Sequence, residues 1–171
     1  MTSTQRTFTP IAIAILTVSD TRSSADDRSG DTLEQRARAD GHRVVAREIV
    51  VDDRYQIRRV VSAWIADAAV QAVITTGGTG FTDRDVTPDA VRVLLDREIP
   101  GFGELFRQIS REKIGTSMLQ SRVLAGVANH TLVAALPGSP GACRDGWDGI
   151  LHDQLDVRHR PCNLAELAIG A

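Results

Sequence analysis

Cysteine is scarce in this chain, and the scarcity excludes a disulfide-built scaffold. Cys143 and Cys162 are the whole supply. They form no Cys-x-x-Cys pair, so buried thiols in a reducing, cytoplasmic setting are expected rather than a secreted framework. Long apolar runs are missing too. The longest, Ile11–Leu16, falls far short of the ~20 residues that a membrane-crossing helix needs, and the polar opening Met1–Pro10 is not built like a signal peptide. Neither sign of charge dominates: 20 Lys and Arg face 22 Asp and Glu, for a net charge of -2. Nucleic-acid binders carry a clearly basic face, so the expected partner is a small molecule, with no nucleic acid and no membrane. Two nucleotide signatures are also absent. The glycine cluster does not end in Gly-Lys-Ser/Thr, and no Gly-x-Gly-x-x-Gly with a trailing acid occurs. The four histidines have no metal-ligand spacing, and no Ser-His-Asp or Cys-His set can be assembled.

What is present suits one α/β domain. At 171 residues, 42% hydrophobic and 25% charged, the composition is ordinary for a globular protein, and a domain of this size buries roughly 70% of its unfolded surface. Residues 1–9 read as a loose tail and 10–171 as a single domain. Ile11–Val18 is nearly continuously apolar, the pattern of a strand covered on both faces. Asp31 with Glu34 predicts a capping box for a first helix that stops near Gly41. Arg43–Val51 reads as a second strand, and Asp53 with Gln56 as the cap of a second helix whose stripe is Ile57, Val60, Val61, Trp64 and Ile65. Ala72–Thr76 is a third strand. Thr87 and Pro88 predict a helix start, and Phe102, Leu105, Phe106 and Ile109 a fourth helix; Lys113–Gln120 is irregular or partly helical. Val123–Ala128 and Thr131–Leu136, joined by Asn129-His130, read as a hairpin whose second strand is central. Ser139 and Pro140 open a last helix, in which Gly146 and Gly149 imply close packing against another element or subunit. Strands alternating with helices predict a three-layer α/β/α sandwich with a mostly parallel central sheet.

In such sheets ligands bind beyond the carboxyl ends of the strands. Three loops fall there: 19–30, 77–85 and 138–141. The middle one, Gly77-Gly-Thr-Gly80, lets main-chain N–H groups approach an anion, with Thr75, Thr76 and Thr79 adding hydroxyls. Asp52 and Asp85 stand after the second strand and after the glycine loop, where two carboxylates could hold a Mg²⁺ ion facing a phosphate. Equally, Asp52 could extend a helix cap and Asp85 pair with Arg84. Arg22, Ser29 and Gly30 are candidate anion contacts; Arg122 and Ser121 read either as ligand contacts or as plain surface.

The combination of Val18-Ser-Asp20, Ser29-Gly-Asp31, Val51-Asp-Asp53, Thr75-Thr-Gly-Gly-Thr-Gly80, Arg84-Asp-Val-Thr-Pro88, Pro100-Gly-Phe-Gly-Glu104, Ser121-Arg122 and Leu136-Pro-Gly-Ser-Pro140 resembles the molybdopterin-binding family of molybdenum cofactor biosynthesis, MoaB and MogA. It does so over nearly the whole chain. Phe81-Thr82, Tyr55-Gln-Ile-Arg58, Ser62-Ala-Trp64 and Arg160-Pro-Cys-Asn163 are most similar to the MoaB branch. The resemblance implies the MoaB/Mog-like fold and adenylylation of molybdopterin: its terminal phosphate attacks the α-phosphate of Mg-ATP and pyrophosphate leaves. It places Asp52 and Asp85 on the family's two functional acids. It implies contacts to phosphate or pterin from Thr76, Gly77, Gly78, Thr79, Gly80, Ser121, Gly138 and Ser139. A homotrimer or homohexamer is implied, with other proteins of the same biosynthesis as partners. A non-catalytic molybdopterin carrier of the same fold is the alternative.

Overall fold

Alternate side chains of the first strand enter two different cores. The computed structural model describes residues 6–170. In it, Ile11, Ile13 and Ile15 pack with Leu33, Phe106 and Trp147, while Ala14, Leu16 and Val18 pack with Ile57, Val60, Val61 and Trp64. Successive strand residues face opposite sides, so a strand apolar on both faces requires a helical layer on each. The sheet has six strands in the order β2-β1-β3-β6-β5-β4. β1 (Ala12–Val18), β2 (Arg43–Val50), β3 (Ala72–Thr76) and β6 (Thr131–Leu136) run parallel. β5 (Leu124–Ala128) is antiparallel to β6, and the two-residue β4 (Arg97–Glu98) is antiparallel to β5. The expected hairpin is present. Asn129 and His130 take φ of 47° and 64°, the left-handed pair that a two-residue turn requires.

The first helix starts earlier than the Asp31 pattern predicts. α1 spans Arg28–Ala39, and its cap is Asp27, which accepts from the Gly30 amide at 3.0 Å. Asp27 is fully buried and also accepts from the Thr17 hydroxyl at 2.7 Å and from Arg47 at 2.8 Å, tertiary partners that no local capping pattern displays. α2 (Arg54–Ala66) is capped by Asp53 as expected. α3 (Thr87–Arg92) is short, and Thr87 is its first helical residue rather than its cap. α4 (Pro100–Ile114) runs further than its apolar stripe and passes into a tighter 3₁₀ turn at Gly115–Gln120. α5 (Pro140–Gly146) continues through a widened turn at Trp147–Leu151 into the short α6 (His152–Gln154). The small α7 (Ala165–Ala168), like β4, was not expected.

The two helix glycines are explained within one subunit. A Cβ on Gly146 would lie 2.7 Å from Leu136 and one on Gly149 2.7 Å from Ile109, so β6 and α4 occupy that space. Of the expected tail, residues 1–5 lie outside the described residues, and residues 6–9 are attached. The Phe8 ring stacks on His42 and under Arg158, and Arg6 contacts Glu166 and the Val157 carbonyl. No helix among the described residues is long and apolar enough to cross a membrane.

Candidate functional site

β3 ends against its neighbours so tightly that only glycine can follow it. Gly77 has φ +108°, and a Cβ there would meet the Val18 carbonyl at 2.1 Å. Its amide donates to the Leu136 carbonyl at 3.0 Å. Gly77 thus turns the chain out of the sheet, with its amide already paired. Gly78, at φ +63°, comes next; a Cβ here would lie 2.5 Å from the Thr87 hydroxyl and 2.7 Å from Asp52 Oδ1. A Cβ on Gly80 would lie 2.7 Å from Asp85 Oδ2. The two predicted acids therefore press on two glycines of one loop.

Beside the loop lies a cavity of about 640 Å³. Gly78, Thr79, Gly80 and Asp85 form one wall, Gly138, Ser139 and Ala142 a second, and Phe106, Ser110, Lys113 and Ser121 a third. Asp52, Thr76 and Gly77 do not line it. The Thr76 hydroxyl is spent inside, donating to the Pro137 carbonyl at 2.8 Å and meeting Cys143 Sγ at 3.2 Å; burial pushes that thiol up to about 11, which makes it inert. Thr75 is fully buried as well, so only Thr79 of the three expected threonines reaches the cavity.

Arg22 and Ser29 are both bonded to protein groups. The guanidinium donates to Ser29 Oγ and to the Gly138 carbonyl, both at 2.8 Å, and the Ser29 hydroxyl donates to the same carbonyl at 3.0 Å. They fasten the first loop to the third. Gly30 is packed against Asp27 and Arg47. Arg22 also lines a second cavity of about 570 Å³, with Asp20, Ser23 and the outer edge of β2.

The two acids differ in electrostatic state. Burial of Asp52, with the negative charges of Asp20 and Asp85 nearby, raises its pKa despite Arg84. Burial also acts on Asp85. There, however, hydrogen bonds from the Thr82 hydroxyl (2.6 Å) and amide (2.9 Å), with the Gly80 amide and the Arg122 charge, outweigh it and hold the carboxyl below its ordinary value. Asp20 is lowered by hydrogen bonds from Arg84 and by the Asp52 amide. The donors of Asp20, Asp52 and Asp85 are all oxygens, the kind that a hard divalent cation takes. Among the described residues no group of three or more His, Cys, Asp or Glu is arranged for a metal, so a cation held here would keep several waters or ligand oxygens.

Sequence reasoning missed part of the lining. Lys113, Ser117 and Gln120 come from the end of α4 and the 3₁₀ turn, and Arg144 and Asp145 from α5. None of these positions carries a motif or a clear periodicity. The Ser121 hydroxyl, which was singled out, is buried without a partner among the described residues, as are those of Thr75 and Thr87.

Residues 14–157 match the model of a family described as a probable molybdopterin binding domain. The chain is 55% identical to molybdenum cofactor biosynthesis protein B of Escherichia coli K12 over 96% of both chains. It is 44% identical to the Bacillus subtilis protein of the same name, over 82% of this chain and 84% of that one. Among solved structures, a molybdenum cofactor biosynthesis protein B superposes with a TM-score of 0.87 at 38% identity, covering 96% of this chain and 98% of that one. The Mog protein of Mycobacterium ulcerans superposes with a TM-score of 0.79 at 29% identity, covering 95% and 100%. With the family match spanning most of the residues and the fold shared end to end, the chain belongs to the molybdopterin-binding family of molybdenum cofactor biosynthesis that includes protein B.

Proposed function

We propose that this protein binds molybdopterin and transfers the adenylyl group of ATP to its terminal phosphate. The observation that carries this reading is the contact of two carboxyl groups, one raised and one lowered in pKa, with two glycines of the loop that walls the main cavity. A phosphate oxygen of the pterin attacks the α-phosphorus of ATP, the bond to the bridging oxygen breaks, and pyrophosphate leaves with the electron pair. Such a transfer needs positioning and charge neutralisation rather than a covalent nucleophile. Thr79 and the main chain of Gly78–Gly80 would bind phosphate, Gly138 and Ser139 would line the pterin side, and the partnerless Ser121 hydroxyl offers a ready hydrogen bond. Ser139 Oγ also accepts from the Ala142 amide at 3.1 Å, which fixes its direction. Mg²⁺ held by Asp52 and Asp85 would neutralise the triphosphate. A homotrimer or homohexamer in the cytoplasm, working beside other proteins of this biosynthesis, completes the reading.

One observation favours a carrier instead: Asp52 is not on the wall that Asp85 lines. Incubation of purified protein with molybdopterin and Mg-ATP, followed by assay for adenylylated pterin and pyrophosphate, separates the two. Tight pterin binding with no product leaves the carrier. Turnover that survives both Asp52→Ala and Asp85→Ala removes the metal assignment.

A further inference from the structure

Arg122 does not line the cavity, yet it is bonded to the glycine loop at several points. Its amide donates to the Thr79 carbonyl at 2.9 Å. Its Nε donates to the Gly80 carbonyl at 2.7 Å, one terminal nitrogen donates to the Asp85 carbonyl, and the other pairs with Asp89 at 3.1 Å. The Phe81 ring covers the guanidinium, 5.3 Å from its carbon. From these contacts we propose that Arg122 is a positioning residue, which holds the loop and Asp85 in the geometry that receives the phosphate; this rests on the adenylyl-transfer reading of the site.

The reason is the planarity of the peptide bond, which points the carbonyl and the following N–H in opposite directions. The Thr79 carbonyl is drawn to the Arg122 main-chain amide, a tie that any residue here would keep, and the Gly80 amide is turned the other way, toward the Asp85 carboxylate that it helps stabilise; the side chain adds the hold on the next carbonyls, those of Gly80 and Asp85. Drawing the Gly80 carbonyl to the same side removes a negative dipole that would oppose an incoming anion. Three acceptors in three directions, plus a ring above, suit a planar fork; a lysine has no such plane. Gly80 has no Cβ to resist rotation, so the loop depends on this external tie.

The test compares wild type, Arg122→Lys and Arg122→Ala for anaerobic binding of molybdopterin and of its dephosphorylated form by calorimetry, with thermal melts to confirm folding. Wild type should prefer the phosphorylated ligand. In folded Arg122→Lys that preference should fall by about 10-fold, the effect of losing one hydrogen bond to a charged group, with the dephosphorylated ligand bound as before. Guanidinium added to Arg122→Ala should restore part of it. A folded variant with unchanged preference, or with equal loss for both ligands, overturns the positioning role. If wild type itself shows no preference for the phosphorylated ligand, it is the reading of the site that fails.

Discussion

Gly80→Ala should separate loss of the site from loss of the fold. Gly80 is not in the left-handed region, so its backbone accepts a side chain, and the new Cβ would meet only the Asp85 carboxylate, at 2.7 Å from Oδ2 and 3.0 Å from Cγ. Moving the closer contact out to the ordinary 3.4 Å requires a shift of about 0.7 Å in that carboxylate. A displaced rotamer costs about 0.5–1.5 kcal/mol, and weakening the Thr82 bonds to Asp85 adds about 1 kcal/mol each. Against this, the reduced freedom of the unfolded chain returns about 0.4–1 kcal/mol. The net cost is about 1–3 kcal/mol, and at about 2–4 °C per kcal/mol for a chain of this size the melting temperature should fall by no more than about 12 °C. Turnover should fall much further, by about 10- to 100-fold, because sub-ångström placement of a charge-bearing group is what the chemistry uses. Gly77→Ala provides the contrast: its Cβ would meet the Val18 backbone at 2.1 Å, and no folded protein is expected. Calorimetric melts with a pyrophosphate-release assay decide the matter. A folded Gly80→Ala protein with wild-type turnover would refute the assignment of Asp85 to the reacting centre.

Three further outcomes follow from the same geometry. Because the pKa of Asp52 is raised on folding, ionising it opposes folding as pH rises through and above the ordinary aspartate range. Without metal, Asp52→Asn should therefore melt higher than wild type near pH 7, the difference closing below about pH 4, and Mg²⁺ should raise the melting temperature of wild type alone. Thr87→Val removes a buried hydroxyl without a partner; the unliganded protein should be stabilised by up to about 1 kcal/mol in urea titrations, with its α3 start intact. Asp27→Ala removes the α1 cap and orphans the buried Thr17 hydroxyl, while Arg47 keeps Asp31 and Glu34 as partners; about 2–4 kcal/mol should be lost in urea titrations. Since the pKa of Asp27 is lowered on folding although burial opposes it, its contribution is present above about pH 4 and lost below.

The layers of this fold were legible because β1 is apolar at all positions but Thr17 and α2 at every turn, signals that depend on period alone. Gly77–Gly80 and Asp85 were legible for a related reason, since backbone without side chains and an acid in a short loop are local facts. What stayed hidden depends on distant partners. Asp27 looks like any loop acid until Thr17 and Arg47 surround it. Arg22 and Ser29 read as free polar groups, yet both spend their donors on Gly138, more than a hundred residues away. Thr76 belongs to the motif, but the strand's alternation turns its hydroxyl to Pro137. The wall formed by Lys113, Ser117 and Gln120 lies where α4 tightens into a 3₁₀ turn and periodicity fails.

These distant ties explain how a rim made of loops can be ready for a ligand. Gly138 is fastened to Arg22 and Ser29, the Asp52 amide to Asp20, Asp20 in turn to Arg84, and Thr79, Gly80 and Asp85 to Arg122. Each tie joins segments that flank different strands, so together they fix the rim where the hydrophobic core does not reach. Among the described residues the Thr87 and Ser121 hydroxyls are left without a partner, and the Asp52 carboxyl is raised in pKa. The protein thus spends Arg22 and Arg122 on loop carbonyls while polarity stays unmet beside the glycine loop. Preorganisation of that kind lowers the reordering cost of binding. Under the proposed reading, an incoming phosphate would then meet main-chain N–H groups of the glycine loop that are already held in place.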